Sequence, residues 1–169
     1  NNSAAATTLQ FADSVLSGAS DSITVNLNAA TAAVTVGTVN DADGDYESLT
    51  INATGAASDM VAGGGLGADS TTVTVNASVA LDLGSTASFA KMTSFDASGS
   101  TAAVTAVLAD KAAAGTTAVS IKGGSAADVF DISGFSAANF GAVTVAMGAG
   151  NDTVTLGAAG ASDFSIDGG

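Results

Sequence analysis

Short runs in which apolar residues alternate with hydroxyl or amide residues recur along most of the chain. No other feature constrains the fold as much. The clearest are Ile23-Thr24-Val25-Asn26-Leu27, Ala33-Val34-Thr35-Val36, Leu49-Thr50-Ile51-Asn52 and Thr71-Thr72-Val73-Thr74-Val75. Others fall at 79–83, 118–121, 129–132, 143–145, 153–156 and 164–166. Period two predicts half-buried strands, and Val, Ile and Thr suit the pleat. The strands recur roughly every 9 to 15 residues. Blocks of Gly, Ala, Ser and Asp separate them, with no Pro and no Asn-Gly turn to close hairpins.

This pattern predicts an all-β chain, a parallel β-helix or β-roll-like solenoid, with a β-sandwich as the alternative. At about 22 residues per coil it would make roughly seven or eight coils, a rod about 35 Å long. Two segments are predicted as helices: 5–16, with Leu9, Val15 and Leu16 and ending at Gly18, and the Ala-rich 106–114, ending at Gly115. Residues 136–140 are predicted as a single turn. The whole chain is expected to be one repetitive β domain, residues 1–169, and an excerpt of a longer protein. Its first part is 1–62 and its second 63–169.

Composition narrows the chemistry. Sixteen Asp and Glu face three Lys and Arg, a net charge of −13, and His and Cys are absent. No Ser-His-Asp or Cys-His nucleophile can be assembled, nor a zinc site on N or S ligands. Three Lys and no Arg cannot neutralise a phosphate backbone, so no nucleic acid is expected. No apolar run reaches the roughly 18 residues that would span a membrane as a helix. Hydrophobic residues make up 47% of the chain, against the disorder its charge would otherwise favour. Protein cations cannot balance the carboxylates, so soluble cations must.

Three blocks share glycine and aspartate at fixed offsets. They are Gly64-Gly65-Leu66-Gly67-Ala68-Asp69, Gly123-Gly124-Ser125-Ala126-Ala127-Asp128 and Met147-Gly148-Ala149-Gly150-Asn151-Asp152, each leading towards a strand. The last two aspartates lie one coil apart. Ca²⁺ takes six to eight oxygens. A glycine turn can expose carbonyls, an aspartate adds charge, and stacking would set two half-sites face to face. A tight turn with no ion is the plainer use of the same residues. The candidate ligands are Gly65, Gly67 and Asp69; Gly124 and Asp128; and Gly148, Gly150, Asn151 and Asp152. Asp167, before the closing Gly168-Gly169, would open another block. A second acidic cluster holds Asp41, Asp43, Asp45 and Glu47, with a spacing unlike that of an EF-hand. Asp96 and Asp131 are further candidates, Asp131 on the side opposite Phe130. The Asn-x-Ser/Thr sites at Asn1, Asn52, Asn76 and Asn151 are expected from chance or as stacked amide ladders.

The blocks resemble the GG-x-G-x-D-x-U-x nonapeptide of repeats-in-toxin (RTX) proteins. The first matches through its Asp but has Thr71 at the large apolar position; the second has Ala126 for the third Gly; the third has Met147 for the first. The Ala-, Thr-, Val-, Gly- and Ser-rich composition resembles RTX surface-layer proteins of Gram-negative bacteria. That resemblance implies a calcium-binding β-roll, type I secretion, and folding triggered by calcium outside the cell. The function it implies is structural: a surface-layer or matrix-fibre protein, no enzyme, assembling with itself, with cell-surface polysaccharide as a further partner. The alternative is a calcium-stabilised module of a large secreted adhesin. Regular threonine rows for ice, or paired carboxylates for polysaccharide cleavage, fit the sequence less well.

Overall fold

The computed structural model describes residues 5, 7–12, 16, 18–32, 34–39, 46–59, 70–84, 89, 91–108, 118–135, 141–157 and 164–169. The chain is a parallel β-solenoid. Its strands are β1 (Thr7–Ala12), β2 (Ser22–Leu27), β3 (Val34–Val39), β4 (Ser48–Ala53), β5 (Ser58–Asp59), β6 (Thr72–Ala77) and β7 (Leu81–Asp82). β8 (Ser94–Asp96), β9 (Val104–Val107), β10 (Val119–Lys122), β11 (Val129–Ile132), β12 (Val143–Ala146), β13 (Thr153–Leu156) and β14 (Phe164–Asp167) complete it. Even-numbered strands from β2 to β14 form one seven-stranded sheet, and odd-numbered strands from β5 to β13 form a five-stranded one. β1 and β3 make a separate pair.

Every pairing between these strands is parallel, which removes the sandwich alternative. Along the larger sheet, partners lie 21 residues apart (Val143 and Phe164) to 26 apart (Ser22 and Ser48). Period two then builds columns. Ile23, Leu49, Val73, Phe95, Ile121, Val145 and Ile166 occupy equivalent places on successive strands. From Leu49 to Val145 all five are buried. One place earlier stands a row of hydroxyls: Ser22, Ser48, Thr72, Ser94, Ser120, Thr144 and Ser165. The smaller sheet supplies Leu81, Val104, Ala106, Phe130 and Ile132 to the same core. Burying a side chain the size of Leu or Ile contributes about 1.5–3 kcal/mol, so the column is the main cohesive element.

Serines that the sequence did not single out tie neighbouring coils. Buried Ser100 accepts from Ala77 N at 3.0 Å and donates to Val75 O at 3.0 Å. Ser58 accepts from Ala30 N, and Ser70 donates to Tyr46 O. All three satisfy buried backbone groups that would otherwise be costly.

The expected helices need correction. Residues 7–12 of the first are strand β1, paired with β3 along its full length. Leu9 and Phe11 sit two apart, as a strand requires, and pairing with β3 gives alternate backbone groups partners without the nucleation cost of an isolated short helix. Ala106 and Val107, expected to begin the second, are the end of β9. Ala106 is buried between the sheets, where alternation decides against Ala propensity. Residues 109–117, and the turn expected at 136–140, lie outside the described residues.

Candidate functional site

Two of the three glycine–aspartate blocks are described, one after β10 and one after β12. Because Val119 pairs with Val143 and Val129 with Thr153, the second block lies directly against the first. Backbone bonds fix the stack: Ser125 N donates to Ser100 O at 3.1 Å and Ala149 N to Gly124 O at 3.1 Å. The glycines are sterically required. A Cβ on Gly124 would meet Ser100 O at 2.5 Å, and one on Gly148 would run into Gly124 O. Gly148 also holds φ at +85°, which costs little only for glycine.

Asp128 is fully buried. Its Oδ1 accepts from Val104 N at 2.8 Å, one coil back, and its Oδ2 accepts from Gly124 N at 2.6 Å, within its own turn. Asp152 repeats the first bond, its Oδ1 accepting from Asp128 N at 2.8 Å. Its Oδ2 is buried and has no partner. Gly150 and Asn151 are exposed.

Four other aspartates make local turns. Asp82, Asp96, Asp131 and Asp167 each end a strand or fall within its last residues, and each accepts from the backbone N–H two residues on: Gly84, Ser98, Ser133 and Gly169. These are Asx-turns, by which a short carboxylate bends the chain out of the sheet. Asp131 faces away from buried Phe130, as alternation requires. Asp96 also accepts from Ser98 Oγ at 2.5 Å and pairs with Lys122 Nζ at 3.3 Å. The Ser98 hydroxyl, its N–H and Lys122 hold the Asp96 carboxyl below its ordinary range against a smaller effect of burial. Glu47 Oε2 accepts from Asp21 N at 2.7 Å, joining two coils. Asp41, Asp43, Asp45, Gly65, Gly67 and Asp69 lie outside the described residues.

Calcium can be tested against these oxygens. Asp128 has each oxygen engaged by a backbone N–H, and Gly124 O already accepts from Ala149 N. Asp152 Oδ2 is the one buried carboxylate oxygen among the described residues without a partner, against the six to eight oxygens the ion takes. No group of three or more acidic side chains converges among the described residues. As they stand, these two blocks fit a coil-to-coil junction better than a calcium cage. No family model, curated protein or solved structure matches the chain.

Proposed function

We propose that this chain is a structural module of an extracellular assembly, a surface layer or matrix fibre. The observation that supports it best is repetition itself: seven parallel strands in register, with a column of hydroxyls and a column of large apolar residues running side by side through all seven. Such a fold makes a stiff spacer, because each coil is held by its neighbours and stability adds along the axis. The residue inventory points the same way. With no His, Arg or Cys, few groups are left to polarise a substrate.

The proposal extends to soluble divalent cations, calcium foremost, as partners of the surplus carboxylates. The support is the net charge of −13 and the acidic segments of the sequence. Asp59 and Asp82 illustrate the need, since they occupy paired positions on β5 and β7 and like charges opposed across strands repel. Export in a calcium-poor state and folding outside the cell by type I secretion belong to this same reading.

Far-ultraviolet circular dichroism with light scattering, in EDTA and then with Ca²⁺ or Mg²⁺ added, tests it. Ordered particles forming with calcium are the expected result. A folded chain that stays monomeric at every calcium concentration would favour the adhesin module instead. Turnover of a polysaccharide by the purified chain would overturn the structural reading.

A further inference from the structure

We propose that the aspartate closing each described glycine block is a metal-free latch between coils. Asp128 reaches back one coil to Val104 N, and Asp152 reaches back one coil to Asp128 N. The two bonds are the same contact repeated 24 residues later. Each is made by Oδ1 at 2.8 Å, so the recurrence is a property of the block and not of one turn. The latch also explains the glycines. The turns must approach until carbonyls of one coil occupy the space of a Cβ in the next, and only then can the carboxylate span to the neighbouring N–H.

The two latches differ in their second oxygen. In Asp128, Oδ2 is capped by Gly124 N, four residues earlier. The corresponding residue for Asp152 is Gly148, whose φ of +85° is not shared by Gly124, and that second bond is not made. Asp128 is therefore a double acceptor and Asp152 a single one. An amide has one acceptor oxygen and one donor nitrogen. Asp128→Asn must set an NH₂ against one of two N–H donors. Asp152→Asn can keep its oxygen on Asp128 N and turn its nitrogen to the unpartnered side.

The ordering tests the inference independently of the proposed function. Melting curves of wild type, Asp128→Asn and Asp152→Asn would be recorded in EDTA and in millimolar CaCl₂, with bound calcium per chain counted by equilibrium dialysis. The latch requires Asp128→Asn to lose several degrees, equally in each condition in which wild type folds. It requires Asp152→Asn to stay near wild type, and neither variant to bind fewer ions. Loss of a bound calcium in either variant would overturn it, as would destabilisation seen only with calcium when wild type also folds in EDTA. Should Asp128→Asn fail to fold, amide exchange of wild type decides. The Val104, Gly124 and Asp128 amides must be protected to the same degree relative to the rest of the core whether or not calcium is added. A rise in protection of those three with calcium that the rest of the core does not share would overturn the latch.

Discussion

Phe95 on β8 and Phe130 on β11 meet edge to face between the two sheets, ring centroids 5.4 Å apart at 77°. Phe89 adds a tilted contact to Phe95 at 6.0 Å. In a chain with seven Phe and a core dominated by Val, Leu, Ile and Ala, this pair supplies two of the largest fully buried side chains. Both rings are fully buried. Phe95→Ala is expected to cost about 3–5 kcal/mol, because transfer and cavity terms add. Phe95→Leu should cost clearly less. Urea unfolding followed by circular dichroism measures both, and equal losses would mean that the ring packing contributes nothing specific.

Asn26, Asn52 and Asn76 form a ladder on the outer side of the larger sheet. Asn52 Nδ2 donates to Asn26 Oδ1 at 2.9 Å, and Asn76 Nδ2 donates to Asn52 Oδ1 at 3.0 Å. The middle residue makes both bonds, so Asn52→Ala should cost about 1–2 kcal/mol. Asn52→Asp should also lose stability, since its carboxylate still accepts from Asn76 Nδ2 but cannot donate to Asn26 Oδ1. Urea midpoints for Asn52→Ala and Asn52→Asp give the comparison, and an aspartate variant as stable as wild type would count against the ladder.

Alternation made most of the fold legible. Runs such as 49–52 and 72–75 have period two over enough residues to name both the strand and its buried face, and Leu49, Ile51, Val73 and Val75 are all buried as that period requires. β5 and β7 have two residues each, too short to show any period. Their pairing depends on the coil before, as when Ser58 Oγ accepts from Ala30 N. At 7–12 the placement of Leu9, Val15 and Leu16 ahead of Gly18 suggested helix, and pairing with β3 outweighed it. The candidate site divides in the same way. Asp-x-Ser and Asp-x-Gly at 96–98, 131–133 and 82–84 are local turns and can be read from spacing. The donors to Asp128 and Asp152 include one a full coil away, and only the register reveals them.

Gly148 of the third block and Gly168 of the closing Gly168-Gly169 should be unequal in importance. Gly148 combines a left-handed φ with a carbonyl where its Cβ would stand. Gly168 has nothing within 4 Å of that position. Gly148→Ala is expected to destabilise by about 2 kcal/mol or more, from left-handed strain plus displacement of Gly124. Gly168→Ala should be close to neutral. Thermal melts of the two variants provide the test, and a tolerated alanine at Gly148 would mean that the stacked turns can separate without cost.

Asp96 offers a pH handle. Its carboxyl is held low chiefly by the Ser98 hydroxyl, with the Ser98 N–H and Lys122 assisting. The folded state therefore favours the carboxylate. Its contribution is complete above the unfolded carboxyl value of about 3.9 and is lost as pH falls through the lower folded value. Ser98→Ala should move the Asp96 titration up towards the ordinary range, as followed by carbon-13 NMR of the side-chain carboxyl. Lys122→Ala should move it less, because the Lys122 side chain is 51% exposed and such pairs are screened by solvent. If Lys122→Ala produced the larger movement, the ion pair and not the serine turn would be what sets the charge at the end of β8.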